Sequence, residues 1–266
     1  MNWMKYRWLY LLISGSLLIC GIFSMIKWGF KIGIDFTGGS LVEYRLPDGK
    51  VKSIKSGSID QAKREEIKLN LEKEVGGSVT EIKFENVGPT VGPEMVKKTI
   101  YALVLATAAI LLWVAYQFKN LKFGISATLA TIHDSLIVIG SFSILGHFFG
   151  AEVDFLFVTA VLTILSFSVH DTIVVFDRIR EMRKRSSGDL LEFANLALSE
   201  TMVRSINNSF TIIFMLLALI LLGGGTIRWF AVALLIGTIS GTYSSPFVAV
   251  PILVTWDEIQ KKFKKK

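Results

Sequence analysis

Six runs of about 20 or more mostly apolar residues leave this chain little choice of medium. They lie at about residues 8–26, 99–118, 123–147, 155–176, 205–227 and 229–256. Each can cross about 30 Å of hydrocarbon as a helix. A backbone in lipid must satisfy its own N–H and C=O groups, so the pattern predicts a polytopic α-helical membrane protein with six transmembrane helices. With 52% hydrophobic residues in 266, length alone, which would allow one or two soluble domains, does not decide the class.

The net charge of +7 is distributed as a membrane protein distributes it. Lys5 and Arg7 precede the first run, and Lys119 and Lys122 separate the second from the third. Arg178, Arg180, Arg183, Lys184 and Arg185 follow the fourth, and Lys261, Lys262, Lys264, Lys265 and Lys266 form a basic tail at 257–266. The loop after the third run carries Glu152 and Asp154 without Lys or Arg, and the loop after the fifth has only Arg228. By the positive-inside rule both termini face the cytoplasm. The expected partners of this surplus are membrane lipids, not nucleic acid. The first run, 1–27 with its flank, lacks a small-residue cleavage pattern and reads as a retained anchor. Cys20 within it is alone, which excludes an intrachain disulfide.

Residues 28–98 are the one sizeable soluble stretch and would lie on the outer face. Residues 33–39 are turn-rich, and 40–46 alternate as a half-buried strand. A Pro-Asp-Gly turn leads to a second strand over 50–55. Ser58-Ile-Asp-Gln61 resembles a capping box opening a helix in which Ile67, Leu71 and Val75 share a face, and Gly76-Gly77 stops it. A third strand over 79–87 completes a small ββαβ, α+β module, followed by a stiff link at 88–93. The remaining five helices, 99–256, form a bundle with a cytoplasmic loop at 177–204. Within that loop an amphipathic segment from Asp189 carries Phe193, Leu196 and Ala197 on its apolar side. It reads equally as a helix lying along the interface and as one packed on the bundle.

The third and fourth helices carry nearly the same string, His133-Asp134-Ser-Leu-Ile-Val and His170-Asp171-Thr-Ile-Val-Val. A carboxylate at the centre of a spanning helix costs about 2.5–3.5 kcal/mol on insertion scales, so something compensates it. One reading is proton exchange, because Asp and His bracket the relevant pH range. The other is a structural hydrogen bond from each aspartate to Ser or Thr on a neighbouring helix. Arg204, at the start of the fifth helix, is a candidate counter-ion for Asp171. It could equally pair with Glu200 or snorkel to the interface. Asn207, Asn208 and Ser209 suit hydrogen bonding between helices, Gly237 and Gly241 allow close packing, and Pro246 could kink the last helix. At 1.5 Å per residue the two His-Asp pairs differ in depth by several ångströms, which disfavours a shared metal site. No hydrolase or metalloprotease string is present, so the chain does not read as an enzyme and calls for no cofactor.

Four strings carry a resemblance: Gly33-Ile-Asp35-Phe36-Thr37-Gly38-Gly39, Val87-Gly-Pro-Thr-Val-Gly92, His133-Asp134, and Asp171-Thr-Ile-Val-Val-Phe-Asp177-Arg178-Ile-Arg-Glu181. In this order, across six helices, they make the chain similar over nearly its whole length to the SecD/SecF protein-export family of RND-type transporters. The resemblance implies an accessory subunit of the Sec translocase in the cytoplasmic membrane. It would use the proton-motive force to promote export of preproteins, with a SecD-like subunit and the SecYEG channel as partners. It further implies that Asp171 and Arg204 take part in proton coupling, with Asp134 as a third acid. Two departures stand out: His170 occupies a position where the family commonly has asparagine, and the external module is shorter than the family's ferredoxin-like domain. An RND-type exporter of small lipophilic compounds and a purely architectural subunit are the alternative readings. The exporter fits less well, because such proteins usually carry about twelve helices and two large external domains.

Overall fold

The computed structural model describes residues 2–264 except 58, 89 and 90. Ser58 of the expected capping box, Pro89 and Thr90 of the expected link, and Lys265 and Lys266 of the tail therefore lie outside the described residues. After a 3-10 turn at Trp3–Tyr6 come α1 (Arg7–Trp28), α2 (Ile34–Thr37), β1 (Gly39–Arg45), β2 (Val51–Ser56), α3 (Gln61–Val75) and β3 (Thr80–Val87). Then follow α4 (Val91–Phe118), α5 (Leu121–Phe149), α6 (Phe155–Arg185), α7 (Leu190–Leu222) and α8 (Gly225–Ser244). A π-helical segment, Ser245–Ala249, joins α8 to α9 (Val250–Lys264). The chain divides into two compact units: residues 32–101, and the residues before and after them.

In the smaller unit the strands form an antiparallel sheet in the order β2-β1-β3. Val42 and Tyr44 project from the central strand into a core with Ile59, Leu71 and Val79. Asp60 caps α3 by accepting the Lys63 N–H at 2.9 Å, and Gly76 ends the helix in the left-handed conformation. Leu71 is buried, whereas Val75 in the last turn is exposed. Two details differ from the expected module. Residues Ile34–Thr37, expected as a turn, form the short α2. Val91-Gly92-Pro93, expected in a link, already belong to the first turn of α4, where a proline costs no hydrogen bond. Glycine is required at two places here. Gly39 has φ 114°, and a Cβ would lie 2.9 Å from the Ser56 carbonyl oxygen. A Cβ on Gly92 would lie 2.5 Å from that of Phe36.

The larger unit is helical, and six helices among the described residues are long and apolar enough to cross a membrane. The observed helices exceed the hydrophobic runs because polar residues extend them past the apolar stretch. The clearest case is α7. The amphipathic segment expected at 189–204 is its continuous N-terminal part, with Phe193, Ala194, Ala197 and Leu198 packed in the bundle core. It does not lie apart along the interface. With α6 running to Arg185, the region expected as a loop over 177–204 is helical except at 186–189. The helix expected to end at 227 ends at Leu222.

Close backbone approaches set the bundle. A Cβ on Gly140 of α5 would sit 2.6 Å from Cα of Gly21 on α1. Gly237 of α8 leaves room for Ile164 of α6. Such small residues let helices gain dispersion contacts that lipid cannot supply. Phe118, Phe123 and Phe176 interlock edge-to-face and stacked, at 5.1–6.0 Å between ring centroids. Arg7 and Glu258 form a bidentate pair at 2.7 Å, and Lys122 meets Asp257 at 3.0 Å. The start of α1 and the end of α9 therefore lie at one end of the bundle.

Candidate functional site

The two intramembrane aspartates have different surroundings. Asp134 is fully buried where α5, α6 and α8 meet. Its Oδ2 accepts hydrogen bonds from Ser168 at 2.6 Å and Ser244 at 2.5 Å, and its Oδ1 from Ser240 at 2.6 Å. His133 Nδ1 lies 3.1 Å from Oδ1. Nε2 of the same ring is buried without a hydrogen-bond partner among the described residues. Three hydroxyls converging on one carboxylate compensate its burial through dipoles. Just beyond this cage, Thr172 and Ser245 join at 2.8 Å, again linking α6 to the last helix.

Asp171 lies one turn along α6 from Ser168 and has a single described hydrogen bond, donated to Oδ2 by Ser205 of α7 at 2.6 Å. It borders a cavity of about 180 Å³ together with His170, Thr201, Arg204, Ser205 and Asn208. A larger cleft of about 450 Å³ shares Val174, Thr201 and Arg204 with it and continues past Asp177, Arg178, Glu181 and Glu200. The two cavities are neighbours between α6 and α7, one bordered by Asp171 and the other by the charged side chains of these helices. Arg204 lines both cavities.

Among the described residues Arg204 makes an ion pair with neither Asp171 nor Glu200. Glu200 is instead held by Arg178, which also binds Glu181 at 2.5 Å. Asp177 is exposed at the cleft. His170 is exposed on α6, next to buried Asp171. It continues a row of exposed polar side chains, Thr159, Thr163 and Ser166, at helical spacing. The structure thus gathers His170, Asp171, Arg204, Asp177 and Arg178 along these two cavities and sets His133 and Asp134 in a separate cage. Gly33, Asp35, Phe36, Thr37, Gly38 and Gly39 belong to the smaller unit. There Thr37 Oγ1 donates to the Gly33 carbonyl at 3.2 Å and Gly38 has φ 73°. Among the described residues no cluster of three His, Cys, Asp or Glu could hold a metal.

Hydroxyl partners on neighbouring helices, one of the two readings of these aspartates, are present, but the sequence reading did not identify which residues supply them, although a signal exists. Thr131-x-His133-Asp134-Ser135, Ser168-x-His170-Asp171-Thr172 and Ser205-x-Asn207-Asn208-Ser209 recur at one interval on α5, α6 and α7. Each aspartate bonds the serine that opens the next copy. Ser209 in turn bonds Thr242 of α8 at 2.6 Å.

Comparison with known proteins gives concordant results. A family model described as protein export membrane protein SecD/SecF, C-terminal, matches residues 67–259, and one described as the SecD/SecF GG motif matches residues 23–46. The chain is 39% identical to the protein translocase subunit SecF of Thermobaculum terrenum, over 95% of this chain and 93% of that one. It is 36% identical to the protein translocase subunit SecF of Anaerolinea thermophila, over 97% and 94%. The crystal structure of SecDF from Thermus thermophilus, described as a translocon-associated membrane protein, superposes with a TM-score of 0.88 at 29% identity. That match covers 97% of this chain and 39% of the SecDF chain, so this chain spans about two fifths of that relative.

Proposed function

Because the chain belongs to the SecD/SecF protein-export family, we propose that it is the SecF-type accessory subunit of a Sec translocase, driven by protons that bind Asp171. The observation that carries the proton step is the setting of Asp171. It is a buried carboxylate in a membrane helix with one described hydroxyl donor, beside a cavity that shares Arg204 with the larger cleft at the charged end of these helices. Asp134 is fully buried with three hydroxyl donors, and its part is to hold α5, α6 and α8 together.

When Asp171 is ionised, Arg204, which lines both cavities, is drawn toward it. When Asp171 is protonated, that attraction ends and the α6–α7 gap has a different preferred spacing. Each charge moved through the membrane potential supplies about 2.3 kcal/mol per 100 mV, so several protons bias a two-state element strongly. The unit at 32–101, on the outer face by the charge asymmetry of the loops, would pass this movement to the emerging preprotein.

A second subunit completes the membrane part. Thr159, Thr163, Ser166 and His170 form an exposed row on a membrane helix; the two threonine hydroxyls donate to carbonyls of their own helix, and it is the His170 imidazole for which lipid is a poor neighbour. A SecD-type subunit fits this face, since the solved SecDF relative is more than twice as long as this chain. SecYEG and the preprotein are the further partners of this reading, which requires no covalent chemistry.

The test uses vesicles containing the channel, the SecD-type subunit and this chain under an imposed proton gradient. Asp171→Asn should abolish gradient-dependent stimulation of export while the protein stays in the membrane at its normal level. Unchanged stimulation would overturn the reading.

A further inference from the structure

We propose that the basic end of α6, with the α4–α5 turn, binds the phosphate of an anionic phospholipid. A cavity of about 280 Å³ lies there, lined by Lys119, Arg180, Arg183, Lys184 and the stacked rings of Phe118 and Phe123, and no acidic residue lines it. The site is built. Lys119 holds φ 49°, a rare conformation for a residue with a side chain, and this makes the tight turn from α4 into α5. Asn120 caps α5, so the positive end of that helix faces the cavity. Arg180 is anchored by donating to the Gln117 carbonyl at 3.0 Å and lies over the Phe118 ring.

The charge here is uncompensated. Of the acids nearby, Glu181 is engaged with Arg178 and Arg185, Asp257 with Lys122 and Lys261, and Glu258 with Arg7, while Asp177, one turn before Arg180, lines the cleft at Arg204 and not this cavity. Among the described residues, Lys119, Arg183 and Lys184 have no acid within ion-pair distance. An anion is therefore the complementary ligand.

The surroundings select a lipid over a free ion. Trp113 and Tyr116, 61% and 77% exposed, stand on the last turns of α4, the helix that ends in the cavity-lining Phe118, and Leu121, 62% exposed, follows the cavity-lining Asn120 at the start of α5. Aromatic rings at this level mark the boundary between headgroups and hydrocarbon. A ligand whose phosphate sits in the basic cavity can lay its acyl chains along this apolar surface. Basic pockets at helix ends on the cytoplasmic side recognise anionic headgroups in this way. The cavity shares no lining residue with the two cavities near Asp171.

The experiment is native mass spectrometry of the full chain in detergent with equimolar dioctanoyl-phosphatidylglycerol and dioctanoyl-phosphatidylcholine. Phosphatidylglycerol should be retained at least about tenfold better, and Arg183→Gln/Lys184→Gln should remove at least about tenfold of that binding. Lys5→Gln/Lys262→Gln, which removes the same charge from exposed positions at the same end, should change it by less than about twofold. Equal retention of the two lipids overturns the proposal, as does equal loss in both double variants. Displacement of the lipid by an equal concentration of inorganic phosphate would mark an adventitious ion site only, and would also overturn it.

Discussion

Ser168 donates its hydroxyl to Asp134 at 2.6 Å from a position one helical turn before Asp171. The helix that carries the proposed proton acceptor is thus fastened to its neighbours immediately beside it. Ser240 and Ser244 bring the last span to the same carboxylate. Asp134→Ala would remove the acceptor shared by three buried hydroxyls; Ser244 keeps a contact to the Gly241 carbonyl at 3.3 Å, while Ser168 and Ser240 lose their side-chain acceptor, each at a cost of about 1–3 kcal/mol. A loss of at least about 2 kcal/mol is expected as a lowered thermal midpoint in detergent, while Asp171→Asn leaves the midpoint near that of the parent. Equal midpoints for Asp134→Ala and the parent would refute the structural role.

Arg204 acts through its charge in the proposed cycle, so Arg204→Lys should retain part of the proton-driven export and Arg204→Gln none. Both should fold normally, because Arg204 is exposed and holds no ion pair within 4 Å among the described residues. Export by Arg204→Gln at the parental level would rule this role out.

The α1–α5 crossing admits no side chain. In Gly140→Ala the new methyl would meet the Gly21 backbone at 2.6 Å, where no flexible group can yield. Overpacking of this kind costs about 1–3 kcal/mol. A lower midpoint is expected, together with weaker crosslinking between cysteines placed on the two helices. An unchanged midpoint would show that the helices separate freely.

Tyr44 is fully buried, and its hydroxyl donates to the Arg64 carbonyl at 3.0 Å. Burial pushes the phenol above its ordinary range. The unfolded phenol ionises first, near pH 10, so the stability Tyr44 provides is complete below that pH and declines as pH rises toward the folded value. Hydrogen exchange in β1 and β3 of the intact chain should accelerate above about pH 10. In Tyr44→Phe that alkaline acceleration should shrink, with faster exchange at neutral pH. An identical alkaline response in both proteins would contradict the assignment.

Much of the fold was legible because hydropathy and alternation are local signals. The six spans, the three strands and the Gly76 stop all follow from short stretches of chain. The continuity of α7 was not, because Glu192, Glu200 and Arg204 break the apolar pattern while Phe193, Ala194 and Ala197 keep the helix packed. The aspartates announced themselves as charges in an apolar run. That Ser or Thr of a neighbouring helix could bond them was also legible, but which ones was not, since a serine in a membrane helix bonds a carbonyl of its own helix as readily as a distant acid. Ser240 and Ser244 lie over a hundred residues from Asp134, and only the packing of α8 on α5 and α6 brings them there. The separation of Arg204 from Asp171 is likewise a matter of side-chain placement that spacing does not encode.

The wide turn at Ser245–Ala249 sets the angular phase of the last span. Gly237, Gly241, Ser245, Ala249 and Leu253 all remain buried at four-residue spacing. In an unbroken α-helix such a row would rotate about 40° per step and reach the outer side within a few turns. The π-helical turn takes back part of that rotation. One continuous rod can therefore aim Ser240 and Ser244 at Asp134 and, several turns later, still present Asp257 to Lys122 and Glu258 to Arg7.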